Sequence, residues 1–213
     1  MSNYPPSLRR FHIDKILSQY ANLMYGKVLD IGGKKLGPRG LFRPPVDTVN
    51  EWIYVNNDPK TNPDILTDAI SIPLEKSSID FVVCTELLEY LDEPNLMIKE
   101  IKRLLKKDGQ GIITVPFMNP IHGDYKYDKA RYTKSFLEKL FVSNDLKILK
   151  IEEQGSIGSV IYDIIKIQIR ENNSKLLGYI LHKMLPIFKL IDNLTHKSKR
   201  YVHTGYFIFF KKP

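Results

Sequence analysis

Val28-Leu-Asp-Ile-Gly-Gly33 is an apolar run carrying one aspartate and closed by two glycines. It describes a buried parallel strand whose C-terminal end turns sharply, leaving a carboxylate and bare backbone facing a crevice. In open α/β sheets that crevice is where ligands sit. A hydrophobic strand ending in an ordinary tight turn reads the same way, so the hexapeptide by itself leaves both readings open.

The surrounding chain supplies a context of alternating elements. A lead-in helix is predicted over residues 1–25, where Phe11, Ile13, Ile16, Leu17, Tyr20 and Leu23-Met24 recur at helical spacing. After the strand at Lys27–Ile31, the stretch Gly37-Pro-Arg-Gly40 through Arg43-Pro-Pro45 cannot sustain a long helix. A loop with at most one turn around Leu41-Phe42 is expected there, where a doubly wound fold normally places its first crossover helix. Short strands are expected at Trp52–Val55, Ile65–Leu66, Ile79–Cys84, Gly111–Pro116, Leu146–Glu152 and Gly205–Phe210. Helices are expected at Asn95–Lys106, closed by a left-handed cap at Gly109, and at Phe136–Phe141. The alternation argues for a parallel α/β sheet in one domain spanning residues 1–213.

Ser159–Ile169 and Leu176–Leu194 are strongly apolar and form an insertion over 159–200 ahead of the final strand. The longer segment holds His182, Lys183, Pro186, Lys189 and Asp192, too many interruptions for a membrane span of about 20 apolar residues. A helical cap packed on the domain, a substrate lid and a membrane-surface helix all fit it.

Composition narrows the classes. Hydrophobic residues at 43% and charged residues at 26% belong to a globular protein rather than a disordered or collagen-like one. The single cysteine, Cys84, excludes a disulfide framework and a Cys-rich zinc site, and its apolar surroundings point to packing. No apolar segment follows Arg9-Arg10, so a cytoplasmic protein is expected, with peripheral contact at the inner face of the membrane if the insertion docks there. The net charge of +8 is spread over scattered lysines, and no DNA- or RNA-binding pattern accompanies it, which disfavours nucleic acid as a partner.

Three ligands can be tested at the first turn. Gly32 and Gly37 have P-loop spacing, but Pro38 and Arg39 stand where Lys and Ser/Thr are needed. A dinucleotide fingerprint would put its second glycine at Lys34, whose side chain obstructs a pyrophosphate. S-adenosylmethionine instead needs a carboxylate for its ribose after the second strand and an acceptor for its adenine amino group one strand later. Asp58 and Asp68, the latter followed by small Ala69, stand at those places. Each alone also fits a helix cap or a turn.

Val28–Gly33, Thr67-Asp-Ala69, Ile79-Asp-Phe-Val-Val-Cys-Thr-Glu-Leu-Leu-Glu-Tyr-Leu91 and Leu105-Lys-Lys-Asp-Gly109 together resemble class I S-adenosylmethionine-dependent methyltransferases, most of all their type 11 group. The resemblance covers roughly residues 25–152 and the last strand. It implies a Rossmann-like seven-stranded sheet, mostly parallel with its last strand antiparallel. It also implies that Asp30, Gly32 and Gly33 face the methionine end of the cofactor, Asp58 the ribose and Asp68-Ala69 the adenine, with Thr85 and Glu86 near the transferable methyl. Lys34 departs from the family, which usually has glycine there, as does Tyr90, where histidine is common.

The segment Phe117–Thr133 resembles the acceptor-side loop of group members found among glycan-biosynthesis enzymes. His122 is the candidate general base by its intrinsic pKa. Glu86, Arg131 and Tyr132 are further catalytic candidates, Arg131 either as a carboxylate clamp or as a tie to Asp128. The expected function is methyl transfer to an oxygen or nitrogen of a small-molecule or lipid-linked glycan acceptor. The competing expectation is a catalytically silent module that binds a partner or a membrane through residues 159–194.

Overall fold

The computed structural model describes residues 6–36, 40–121, 125–195, 197 and 201–213. Its seven strands are β1 (Lys27–Ile31), β2 (Glu51–Asn56), β3 (Ile65–Leu66), β4 (Ile79–Thr85), β5 (Leu105–Pro116), β6 (Lys147–Gln154) and β7 (Gly205–Lys211). They form one sheet in the order β3-β2-β1-β4-β5-β7-β6. β7 runs antiparallel to both of its neighbours, and the other pairings are parallel. The order reverses between β1 and β4, so the chain leaves both strands on opposite sides of a shared crevice at their C-terminal ends.

The helices are α1 (Leu8–Tyr20), α2 (Pro94–Leu104), α3 (Lys134–Val142), α4 (Ile157–Glu171) and α5 (Lys175–Leu194). α2 buries Met97, Ile98, Ile101 and Leu104 against one face of the sheet, while α1 buries Ile13, Ile16 and Leu17 against the other. Each such side chain contributes about 1.5–3 kcal/mol through burial. Cys84 lies within the first of these cores. Between β1 and β2, no helix forms among the described residues, in keeping with the prolines there. Asp14 of α1 anchors that connection instead, accepting from the Leu41 amide at 2.6 Å and from Arg10 Nε at 2.8 Å.

One boundary differs in kind from the sequence expectation. α2 ends at Leu104, and residues 105–109 already belong to β5, with Leu105 paired to Ile79. The left-handed residue is Asp108 (φ 64°) rather than Gly109. Asn and Asp tolerate that conformation better than other side chains, so the glycine was not required for it.

The insertion is a helical hairpin built into the domain. Asp163 of α4 is 2% exposed and accepts from the amides of Leu8 and Arg9, each at 2.8 Å, at the N-terminus of α1. A carboxylate there satisfies two otherwise orphaned N–H groups and faces the positive end of the helix dipole. Asp192 of α5 accepts from the amide of Ser159 at 2.8 Å and the hydroxyl of Ser156 at 2.7 Å, and it pairs with His12 of α1 at 3.4 Å. Ser159 also donates its hydroxyl to Asp192. Leu8, Tyr162, Leu181 and Phe188 fill the space between α1 and the hairpin.

Asp192 has a pH signature. Burial pushes its carboxyl up, but hydrogen bonds from His12, Ser159 and Ser156 outweigh that and hold it at about 2, below its ordinary 3.8. A depressed pKa stabilises the fold above the unfolded value, and this contribution disappears as pH falls from about 4 through about 2. Its size is on the order of 2 kcal/mol. Asp192→Asn is therefore expected to lower stability at neutral pH and to flatten the loss of stability between about pH 4 and pH 2. Equal slopes for the two proteins in urea titrations across that range would refute the assignment.

No helix among the described residues is long and apolar enough to cross a membrane. The outward side of α5 is nonetheless apolar. Leu176, Ile180, Ile187 and Leu194 share it, all exposed, and exposed Lys183 lies among them.

Candidate active site

At the C-terminal ends of β1, β2 and β4 lies a cleft of about 1040 Å³. Its sheet side is formed by Ile31, Gly32, Asn56, Asn57, Asp68, Ala69, Ile70, Thr85 and Glu86. Gly32 has φ +77°, which lets the chain turn out of β1 with its backbone bare toward the cavity. The Gly32 amide donates to the Val55 carbonyl at 2.8 Å, so the turn is pinned to the adjacent strand. Ala69 and Ile70 give an apolar surface beside the exposed carboxylate of Asp68, which accepts from Asn57 Nδ2 at 3.3 Å.

The opposite wall comes from helices that the sequence placed outside the site. Arg9, Arg10 and Ile13 of α1 line it, as do Asp163, Lys166, Ile167 and Arg170 of α4. Arg9 is 2% exposed and grips Glu86 with two donors, Nη2 to Oε1 at 2.6 Å and Nε to Oε2 at 3.1 Å. Its remaining donors reach Gln154 Oε1 at 2.7 Å and the Val115 carbonyl at 2.9 Å. Thr114 donates to Glu86 Oε1 at 3.0 Å. Glu86 has φ 52°, a left-handed conformation that costs a non-glycine residue about 1–2 kcal/mol. The Arg9 pair fixes it there.

The sequence-predicted residues divide accordingly. Gly32, Asp68, Ala69, Thr85 and Glu86 line one cavity. Asp30 does not: it is buried beneath the turn, where a Cβ on Gly33 would meet its Cγ at 2.6 Å, and Gly33 is buried with it. Asp58 is exposed and caps the short helical turn Pro59–Thr61, accepting from the Lys60 amide at 3.0 Å, while Asn56 and Asn57 occupy the cleft at the end of β2. Lys34 stands on the rim. Tyr132 is corrected to a core position, its hydroxyl donating to the Leu88 carbonyl at 3.0 Å. Burial, helped by Glu89, pushes its phenol up to about 12. Arg131 is a tie, holding Asp128 with both terminal nitrogens, and it lines a second groove rather than the cleft. His122 lies outside the described residues.

Tyr90, in the cleft, is also pushed up by burial and then by Glu89. Both phenols therefore stay protonated near neutral pH and act as hydrogen-bond donors rather than bases.

Against known proteins, residues 45–113 match the family model of a methyltransferase domain. The matched stretch runs from the connection after β1 into β5. An uncharacterized protein of Methanocaldococcus jannaschii is 28% identical over 91 residues, covering 43% of this chain and 44% of that one, so the match spans less than half of the relative's length. Among solved structures, a SAM-dependent methyltransferase of Archaeoglobus fulgidus superposes with a TM-score of 0.60 at 16% identity, over 95% of this chain and 94% of that one. A (4+2)-cyclase superposes with a TM-score of 0.62 at 16% identity, over 94% and 81%. These likenesses show that the fold is shared over nearly the whole chain.

The cleft fits S-adenosylmethionine in its donor set. A bare glycine turn, an exposed carboxylate beside an apolar surface and two asparagines line it together.

Proposed function

We propose that the methyltransferase domain moves a methyl group from S-adenosylmethionine to an oxygen or nitrogen of a small-molecule or lipid-linked glycan acceptor. The observation that carries the cofactor half of this reading is that Gly32, Asn57, Asp68, Ala69 and Thr85, from four separate connections, line a single cleft at the strand-order reversal. The glycan half rests on the sequence pattern of the Phe117–Thr133 loop.

When bound, the cofactor supplies an electrophilic methyl on a sulfonium with a thioether as leaving group. The protein's part is placement, since an in-line displacement gains most from holding its reactants aligned. Asp68 accepts from the adenine amino group, and Ala69 and Ile70 cover the ring. Asn57 reaches the ribose hydroxyls, while Asn56 braces the turn by donating to the Gly33 carbonyl and accepting from the Asp58 amide. Lys34 faces the cofactor's carboxylate. Glu86, held by Arg9 in a paired and neutralised state, fixes the shape of the wall next to Thr85.

Calorimetry with S-adenosylhomocysteine tests the reading. Wild-type protein is expected to bind it in the micromolar range and to ignore NAD, with Asp68→Ala weakening binding roughly tenfold, the equivalent of about 1.4 kcal/mol. Failure to bind S-adenosylhomocysteine would overturn the reading. It would favour instead a silent module acting through the apolar outer side of α5, whose mark is flotation with anionic vesicles.

A further inference from the structure

α4 separates two cavities. Toward the cleft it presents Asp163, Lys166, Ile167 and Arg170, and toward a second groove of about 700 Å³ it presents Val160, Ile164, Ile167 and Gln168. The groove's other side is Phe117, Met118, Pro120 and Ile121, with Ala130 and the Asp128–Arg131 pair at its end. Ile167, Asn119 and Pro120 line both cavities, so the two adjoin along these residues. Phe117 is held in place by its amide, which donates to the Thr204 carbonyl at 2.8 Å, and by ring stacking on His203.

The charges are arranged unevenly. Acidic Asp68, Asp92 and Glu93 lie with the sheet side and α2, whereas Lys166 and Arg170 stand one turn apart on α4 beside the junction. Lys166 is half-buried and, among the described residues, makes no hydrogen bond or salt bridge. Burial pushes its ammonium down from the usual lysine value, against the attraction of Asp163. Both Asp163 oxygens are committed to the α1 amides. Arg170 holds only its neighbour Glu171, at an exposed position.

We infer that the acceptor is an anionic amphiphile, its acidic head group held by Lys166 and Arg170 in the C-terminal half of α4 and its aliphatic or isoprenoid tail lying in the groove of Phe117, Met118, Ile121, Val160 and Ile164. This rests on the cofactor occupying the sheet side of the cleft, which leaves the α4 side to the acceptor. Two features on one helix select the ligand class. A cation desolvated beside an apolar groove favours a ligand that brings charge and hydrocarbon together. A purely polar anion leaves the groove empty, and a neutral lipid brings no anion to Lys166 and Arg170.

The test is calorimetry of the full chain with decyl phosphate below its micelle concentration, with inorganic phosphate and with decyltrimethylammonium, each with and without S-adenosylhomocysteine. Decyl phosphate is expected to bind at least roughly tenfold more tightly than either control. Lys166→Gln and Ile164→Asn should each weaken it roughly tenfold while leaving the affinity for S-adenosylhomocysteine unchanged. Ile180→Asn, on the outward side of α5, should change neither. Equal affinity for the cationic and anionic amphiphiles, or indifference to both Lys166→Gln and Ile164→Asn, would overturn the inference. Because decyl phosphate is also titrated alone, loss of S-adenosylhomocysteine binding tells against the cofactor reading separately.

Discussion

Arg9→Leu is expected to lower the free energy of unfolding by about 3–5 kcal/mol, the usual cost of stripping one partner from a buried ion pair. Against a total stability of about 5–15 kcal/mol for a natural domain, that is a large share. The reason lies in what the guanidinium holds. It bridges Glu86 of the cleft, Gln154 at the end of β6 and the Val115 carbonyl of β5, and it is itself almost inaccessible to water. Leucine fills part of the volume but leaves the Glu86 carboxylate in a half-dry wall without its guanidinium, with Thr114 still donating to it. The double variant Arg9→Leu/Glu86→Leu is expected to recover much of the loss, since removing both charges also removes the unpaired one. Urea unfolding of the three proteins measures this. An Arg9→Leu midpoint equal to wild type would show that the pair contributes nothing.

Gly32→Val is expected to weaken S-adenosylhomocysteine at least 100-fold, equivalent to about 2.7 kcal/mol, with the protein still folded. A β-branched side chain is poorly compatible with φ +77°, and a Cβ there meets Leu87 Cδ2 at 3.3 Å before any further branch is added. The remaining atoms extend into the cleft where the cofactor's amino acid end is assigned. Gly32→Ala separates the two causes: it carries the backbone strain with little bulk, so a smaller loss is expected. Affinity retained in Gly32→Val would place the cofactor elsewhere.

The strand plan was legible because buried parallel strands write themselves as continuous apolar runs, and Val28–Ile31 and Ile79–Cys84 are such runs. The proline-rich connection after β1 was equally readable, since proline removes donors a helix needs. The sheet side of the cleft followed from Gly32, Asp68 and Ala69, whose positions after successive strands are fixed by topology. The helical side was not legible. Arg9 enters the site from a helix more than 70 positions before Glu86, and nothing local to either residue announces the pairing. One signal was present: Arg9 lies on the same side of α1 as buried Ile13 and Ile16, and a cation on an apolar stripe needs a buried counter-charge. Asp163 and Asp192, acids within apolar runs, carried the same signal. Tyr132 misled for a different reason: its residue type suits the supposed role, but its hydroxyl is taken by the Leu88 carbonyl, a competition that only the folded backbone reveals.

The anchoring of the hairpin by Asp163 and Asp192 has an evolutionary consequence. Its two acids hold the first helix at Leu8, Arg9 and His12, so the insertion and the opening segment of the chain depend on each other for their placement. Transplanting residues 157–194 into a relative brings two unpaired carboxylates unless positions 8–12 travel with them. Acceptor preference in such chimeras should therefore follow the hairpin only when the donor's first helix accompanies it.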